Sequence, residues 1–307
     1  MQPTKNIIFD LKKLSIIKVE GEDAHTFLQG QITNDISIAT PTQSIHAGFC
    51  NPKGRLLAFF HIIKYLDSYL LICSASIAEN ITKKLSMYVL RSKVKVELNP
   101  KGIMYFGALI GNQDECISLE GKLPTTPMEV ANQSSLTIIR LHGDIPRLLF
   151  IGEKNDCLNF IEKNCSQFEE KSFNDWSLQN IKSGIPSIYH ETQEQFIPQS
   201  INLDIIGAIN FKKGCYTGQE IVARTHYLGK PKRRMYIASI QGTQDLVWGA
   251  VITSNGDPVG QVVDFSDLGD NQSALLIEIR IESSKSTLMI GASKLVLPVP
   301  EMEKFSS

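Results

Sequence analysis

Short apolar runs bounded by turn-forming residues set the hydrophobic pattern over the first two-thirds of the chain. Runs of this length that are rich in β-branched and aromatic residues are typical of strands. Asn51-Pro52-Lys53-Gly54 separates two of them and suits a tight turn. The pattern predicts strands at 15–20, 45–50, 55–65, 69–73, 94–98, 103–110, 136–141 and 147–151.

A helical period appears in fewer places. Ser76 and Glu79 form a capping-box pattern, and apolar residues follow at helical spacing from Ile81 to Val89. A helix is therefore predicted to begin near Ser76. Asp23 is the predicted N-cap of a helix that carries Phe27, Leu28 and Ile32, and the other predicted helices lie at 155–163, 175–183 and 218–228.

The pattern changes after Gly229-Lys230-Pro231. Only short β-type runs follow, at 234–240, 250–253, 259–265, 274–281 and 294–299, separated by turn residues. Regular short strands of this kind favour a small antiparallel barrel or sandwich. We therefore predict two domains, 1–228 and 229–307. The polar stretch 113–133 is predicted to be a loop.

Composition narrows the class of protein. The chain has 31 Lys and Arg against 32 Asp and Glu, which argues against wholesale nucleic-acid coating but permits a local basic patch. No run approaches the roughly 18 apolar residues of a membrane-spanning helix. The six cysteines are widely spaced and form no C-x-x-C pair, which favours reduced thiols over a zinc or disulfide framework. We expect a cytoplasmic protein without a membrane segment.

The segment 210–234 holds the candidate chemistry. Thr217 and Glu220 form a second capping-box pattern, so Cys215 is expected two residues outside a helix N-terminus. Unpaired N–H groups favour negative charge there, and thiolates of low pKa are found in such electropositive settings. The same segment is dense in basic residues, namely Lys212, Lys213, Arg224, Lys230, Lys232, Arg233 and Arg234.

These residues leave several interpretations open. Gly214 and Gly218 flank the thiol and let the backbone turn sharply and admit a ligand. Cys215 is equally compatible with an inert, buried residue beside a purely structural helix start. His226 allows a Cys–His pair, or it fills a face of the helix. The basic cluster is either a solvated face or a surface that attracts a polyanion or a carboxylate-bearing ligand.

Residues 213–220, Lys-Gly-Cys-Tyr-Thr-Gly-Gln-Glu, resemble without a mismatch the signature of the YgfZ family of folate-binding proteins. These proteins are relatives of the glycine-cleavage T-protein and act in iron–sulfur cluster assembly or maintenance. The segments 27–35, 52–55, 90–94 and 198–204 also resemble characteristic blocks of that family, in the expected order over most of the chain.

The resemblance implies a T-protein-like α+β fold, with subdomains around a central channel that can hold tetrahydrofolate or a related reduced folate, and a C-terminal antiparallel β-barrel. It implies iron–sulfur client or assembly proteins as partners, including those that thiolate tRNA, and leaves direct nucleic-acid binding open. The key cysteine of the family corresponds to Cys215. The folate contacts are predicted at Lys213, Gly214, Tyr216, Gly218, Gln219, Glu220, Arg224, Asn202 and Asp204.

One departure from the T-protein separates the possible functions. The T-protein has an acidic pair after a Gly-rich turn, whereas the corresponding positions here are Ala58 and Phe59. Neither side chain can accept a proton or stabilise positive charge on a folate nitrogen. The sequence therefore favours a folate-dependent accessory factor over an aminomethyltransferase. A non-catalytic scaffold is the third alternative, with a structural Cys215 and a basic stretch at 230–234 that contacts a client or RNA.

Overall fold

The computed structural model describes residues 5–111, 123–133, 135–227, 229–242 and 246–297. Its helices are α1 (Ala24–Gln29), α2 (Ala75–Val89), α3 (Lys154–Asn164), α4 (Phe173–Lys182) and α5 (Gln219–Tyr227). Its first strands are β1 (Ile7–Phe9), β2 (Leu14–Glu20), β3 (Ile45–Cys50), β4 (Leu56–Tyr65), β5 (Ser68–Ser74), β6 (Lys95–Leu98), β7 (Ile103–Leu109), β8 (Val130–Gln133), β9 (Leu136–Leu141), β10 (Arg147–Glu153) and β11 (Glu169–Lys171). The later strands are β12 (Arg233–Gln241), β13 (Val251–Ser254), β14 (Asp257–Gly269), β15 (Gln272–Arg280), β16 (Met289–Ile290) and β17 (Ser293–Val296).

The chain divides into two compact units, each assembled from separate stretches of sequence. The first comprises the residues up to Phe27, Ile36–Ile45 and His61–Trp176. The second comprises Leu28–Asp35, His46–Phe60 and the residues from Ser177 onward. The domains predicted at 1–228 and 229–307 stay a prediction.

The first unit is built on a six-stranded sheet in the order β11-β1-β7-β10-β9-β8. β1 pairs parallel with β11 and antiparallel with β7. Phe106 and Phe150 stack on this sheet with ring centroids 4.7 Å apart, in one buried cluster with Cys157 of α3. Phe9 and Trp176 belong to a second buried cluster of the same unit. The predicted loop at 113–133 lies largely outside the described residues, and its last four residues form β8.

A five-stranded sheet has the order β3-β4-β5-β2-β6. Every residue of β3 and β5 is buried, so neither strand alternates between buried and exposed positions. α2 follows β5 directly, and its N-cap is Ser74, whose hydroxyl accepts a hydrogen bond from the N–H of Ser76 at 3.3 Å. The prediction that Ser76 begins the helix as its cap is therefore wrong by two residues.

A closed barrel in the second unit has the strand order β12-β15-β14-β13-β16-β17. β12 and β15 pair in register from Arg233–Arg280 to Gln241–Gln272, and β14 pairs with β15 through a register shift between Val262 and Asp264. Its apolar core is a separate cluster formed by side chains of the barrel strands and neighbouring residues. This confirms the predicted C-terminal antiparallel β-barrel. No helix within the described ranges has the length and apolar character needed to cross a membrane.

Candidate functional site

The loop that leads into α5 holds Cys215 exposed between two buried neighbours. Lys213 and Tyr216 are each 8% exposed, whereas Cys215 is open to solvent. The helix begins at Gln219, whose N–H donates to the carbonyl oxygen of Tyr216 at 3.1 Å. It starts one residue later than predicted, and the predicted end at Leu228 lies outside the described residues. The thiol that was predicted to be reactive is therefore accessible.

Cys215 differs in this respect from the other described cysteines. Cys50, Cys73, Cys157 and Cys165 are all buried. Burial raises the pKa of the Cys50 and Cys73 thiols to about 12 and that of Cys157 to about 11, which keeps them protonated and unreactive at neutral pH.

Lys213 anchors the loop from the inside. Its Nζ donates to the carbonyl oxygens of Gln29 and Ile32 at 2.6 and 2.7 Å. Burial lowers the pKa of this ammonium group to about 8, while the Asp35 carboxylate acts in the opposite direction. The ammonium also lies 5.0 Å from the centroid of the Tyr216 ring. The charge of Lys213 is therefore used to hold backbone carbonyls in place beside the loop.

Two glycines let this loop pack against the turn at 51–54. Gly218 has a φ of +82°, and a Cβ there would stand 2.4 Å from the carbonyl oxygen of Asn51. Gly54 has a φ of +67°, and a Cβ there would stand 2.8 Å from Cβ of Ile221. Only glycine fits both the left-handed backbone and the close approach. Gly214 is different, because a Cβ there would meet no atom within 4 Å.

A third segment joins the same helix. Gln199 is 1% exposed, and its Nε2 donates to the carbonyl oxygen of Val222 in α5 at 2.6 Å. The Oε1 of Gln199 has no hydrogen-bond partner among the described residues. The segments 52–55, 198–204 and 213–220, which the sequence resemblance singled out separately, therefore all pack around the first half of α5.

Asn202 and Asp204 bind the barrel strand β12. Asn202 has a φ of 61°; its Nδ2 donates to the carbonyl oxygen of Met235 at 2.8 Å, and its Oδ1 accepts from the Met235 N–H at 3.2 Å. Asp204 forms a two-bond ion pair with Arg234, at 2.6 Å to Nη1 and 2.9 Å to Nη2. Both predicted folate contacts therefore have a structural role in the second unit.

The remaining predicted residues lie on α5. Gln219 is half-buried, and Glu220 and Arg224 are exposed. The ring of His226 stacks on Phe211 with centroids 3.7 Å apart and 9° between the ring planes. This contact corresponds to the alternative in which the histidine fills a face of the helix.

Asp264 is a candidate that the sequence pattern did not reveal. It is 0% exposed, and its carboxylate accepts hydrogen bonds from the Tyr189 hydroxyl at 3.1 Å, Trp248 Nε1 at 3.3 Å and the Phe265 N–H at 2.9 Å. The Tyr189 and Trp248 rings stack with centroids 4.4 Å apart. Burial raises the pKa of Asp264 from 3.8 to about 7, while the three donors oppose the rise.

A lone aspartate inside the apolar run Val262-Val263-Asp264-Phe265 was the only sequence signal for this group. The register shift at Val262/Asp264 breaks the alternation of inward and outward positions, so strand periodicity places this side chain wrongly. Tyr189 lies 75 residues away, and no local pattern connects it to the strand.

The two residues at the positions that correspond to the acidic pair of the T-protein have apolar side chains and are buried. Ala58 is 0% exposed and Phe59 is 8% exposed, both within β4. Among the described residues, no three His, Cys, Asp or Glu side chains gather in an arrangement that could hold a metal ion.

Two proteins that are similar to this chain in sequence have the same name. A tRNA-modifying protein YgfZ from Hamiltonella defensa is 32% identical over 231 residues, which are 74% of this chain and 68% of the relative. A tRNA-modifying protein YgfZ from Colwellia psychrerythraea is 30% identical over 242 residues, which are 78% of this chain and 74% of the relative. No protein-family model matches the chain.

The fold is similar to that of the glycine cleavage system aminomethyltransferase T from Bartonella henselae. The two structures superpose with a TM-score of 0.75 over 96% of this chain and 85% of the other, at 15% sequence identity. The T-protein-like fold expected from the sequence is confirmed. At this level of identity the likeness concerns the fold alone.

Proposed function

The chain belongs to the family of the tRNA-modifying protein YgfZ, and from this premise we propose that it binds tetrahydrofolate, or a related reduced folate, and supports iron–sulfur cluster assembly or repair. Its clients are iron–sulfur enzymes, including those that modify tRNA, and it acts in the cytoplasm. Cys215 is its reactive thiol.

The observation that carries this proposal is the placement of Cys215. The thiol is exposed, and the buried residues Lys213 and Tyr216 fix the backbone on either side of it. A structural cysteine is normally buried, as the other four described cysteines are. Gly214, next to Cys215, is exposed, and a Cβ there would meet no atom within 4 Å. Lys213 is a positioning residue in this account, because it holds the loop through backbone carbonyls.

The hydrogen-bonding groups of the described residues suit those of a reduced folate. The amino-pyrimidine edge of a pterin donates hydrogen bonds, and carboxylate or amide oxygens accept them. Asp204 retains lone pairs beyond those used by Arg234, and the buried Oε1 of Gln199 is an acceptor with no partner among the described residues. We propose that Asp204 and the loop 213–220 hold the folate, which supplies one-carbon or redox chemistry when bound.

Aminomethyl transfer by the T-protein route does not follow from these residues. Ala58 and Phe59, at the positions of the acidic pair, are buried and offer no group that exchanges a proton. An accessory role needs a bound folate and an accessible thiol, and it does not need that pair.

The proposal is tested with Cys215→Ser in a strain whose own copy of the gene is deleted. We expect wild type to restore iron–sulfur enzyme activity and thiolated tRNA, and Cys215→Ser to restore little of either. Lys212→Gln, an exposed neighbour, is the matched control and should restore both. In vitro, Cys215 should be alkylated in the folded protein, whereas the buried Cys50 and Cys73 should react only after unfolding. Equal restoration by wild type and Cys215→Ser would favour the scaffold alternative.

The folate part is tested separately by titrating the purified protein with tetrahydrofolate and recording intrinsic fluorescence. Wild type and Cys215→Ser should both bind, because the serine keeps the shape of the site. If neither protein shows saturable binding, the proposal that the protein binds folate is wrong. The result for the Cys215 thiol does not depend on this outcome.

A further inference from the structure

A basic cleft lies within the second unit, beside the start of β12. Its volume is about 570 Å³, within the range of ligand sites in proteins. Its lining includes the cationic side chains of Arg55, Lys230, Lys232 and Arg233 and a single carboxylate, Glu278. The cleft therefore carries a clear excess of positive charge, although the chain as a whole is nearly neutral.

The two arginines of the basic cleft are held in place by the protein. Arg55 donates through Nη1 to the carbonyl oxygen of Gln195 at 2.6 Å. Arg233 donates through Nη1 to the carbonyl oxygen of Val259 at 3.1 Å and to Glu278 at 2.8 Å. Each contact uses one terminal nitrogen, so further N–H donors of both guanidinium groups remain for a ligand. Glu278 pairs with Arg233 and also acts on the charge of Arg55, but a single carboxylate does not balance the four cationic side chains of the cleft.

The side chains of the two lysines of the basic cleft, unlike those of its arginines, are not held by hydrogen bonds within the described part of the chain. Lys230 and Lys232 are exposed, and neither ammonium group forms a hydrogen bond or ion pair with another described residue. A lysine of this kind is a mobile point charge that can follow a phosphate, whereas an anchored arginine presents its donors in a fixed geometry. The combination suits a ligand with several phosphate groups in a row.

The uncharged part of the lining indicates which part of such a ligand is contacted. Ser200, Thr225, Gln195 and Gln261 contribute hydroxyl and amide groups, and none of the described residues that line the cleft is aromatic. Single-stranded nucleic acids are usually bound by their bases through stacking on aromatic rings. Charged and hydroxyl donors contact phosphate and sugar instead. The basic cleft is therefore suited to a backbone and offers no platform for bases.

We propose that the basic cleft binds the phosphodiester backbone of an RNA strand. The phosphate contact follows from the lining, and the choice of RNA rests on the proposed function, in which the clients modify tRNA. Lys230, Lys232 and Arg55 contact successive phosphates, and Arg233 is held at the floor by Glu278. The cleft positions an RNA strand and takes no part in bond making.

The test measures binding of a fluorescein-labelled oligouridylate of about 12 nucleotides, by anisotropy, between about 50 and 200 mM salt. The variant Lys230→Gln/Lys232→Gln is compared with Lys285→Gln/Lys294→Gln, which removes two exposed lysines of the same unit that do not line the cleft. Circular dichroism and thermal unfolding confirm that both variants are folded.

Each phosphate contact on a single strand contributes about 0.7 to the slope of log K against log salt. We expect the cleft variant to flatten that slope by about 1.4 and to weaken binding at least about fivefold, with the control variant close to wild type. Cys215→Ser should bind RNA as wild type does, so this result is independent of the folate and thiol tests.

Three results would overturn the proposal. One is absence of saturable RNA binding by wild type at low salt, and another is an equal loss in the two lysine variants. The third is displacement of RNA by a poly-glutamate peptide at an equal concentration of charge, which would identify an acidic peptide as the ligand.

Discussion

Gly218 approaches Asn51 so closely that a Cβ on the glycine would stand 2.4 Å from the carbonyl oxygen of the asparagine. The contact joins the loop that carries Cys215 to the turn at 51–54, and the φ of +82° at Gly218 belongs to the left-handed region. The position of the loop that carries Cys215 therefore depends on the absence of a single side-chain carbon.

Replacing Gly218 with alanine should lower the free energy of unfolding by about 2–3 kcal/mol, because the new Cβ meets backbone atoms and the φ becomes strained. Gly214→Ala is the matched control, since a Cβ there meets nothing within 4 Å. Urea unfolding of the three proteins measures the difference. Equal stabilities of the two variants would mean that the loop moves away from the turn at no cost.

Lys213→Met should destabilise the protein by about 2 kcal/mol, because it removes two charge-assisted hydrogen bonds and leaves the carbonyl oxygens of Gln29 and Ile32 without that donor. Lys212→Met removes the neighbouring charge at an exposed position and should change stability by less than about 0.5 kcal/mol. Chemical unfolding measures both. Similar losses in the two variants would show that net charge, and not the buried contact, is what matters.

The ion pair between Asp204 and Arg234 should contribute to stability in the absence of any ligand. A double-mutant cycle with Asp204→Asn, Arg234→Gln and the double variant should give a coupling energy of about 1–3 kcal/mol, because both side chains are largely buried and joined by two hydrogen bonds. Urea unfolding supplies the four free energies. A coupling near zero would mean that Asp204 is kept for a ligand alone.

The buried carboxyl of Asp264 should make stability depend on pH. Its pKa rises from 3.8 to about 7 on folding, so the folded protein holds a proton that the unfolded chain releases at lower pH. The free energy of unfolding should therefore fall as the pH rises from about 4 to about 7 and should change little from this group above that range. The full difference in pKa corresponds to an upper bound of about 4 kcal/mol.

Asp264→Asn keeps the size of the side chain and removes the titration. Its stability relative to wild type should increase between about pH 5 and pH 7, as followed by urea unfolding at several pH values. Asp257→Asn, at an exposed position of the same strand, removes one charge elsewhere and serves as the control. A pH-independent difference between wild type and Asp264→Asn would contradict the burial argument.

Local pattern was sufficient for most of the secondary structure. The short runs rich in β-branched and aromatic residues correspond to β2, β3, β4, β5 and the barrel strands, because such runs and the Gly, Pro and Asn residues that bound them act over a few residues. The first residue of a helix was predicted less exactly. The capping-box pattern indicates Ser76 as the N-cap of α2, but the hydroxyl of Ser74, two residues earlier, caps the helix. The resemblance of residues 213–220 to a family signature added the T-protein-like fold, which periodicity alone does not specify.

The amino-acid sequence by itself determined the positions of strands and helices, the C-terminal barrel and the family to which the chain belongs, since each of these depends on local preference or on a contiguous motif. The tertiary structure decided what the site residues contact. Lys213 meets carbonyl oxygens 184 and 181 residues away, and Arg234 meets a carboxylate 30 residues away. The exposure and the charge state of a side chain depend on burial and on contacts with residues far away in the sequence. The neighbouring residues along the chain do not specify these contacts.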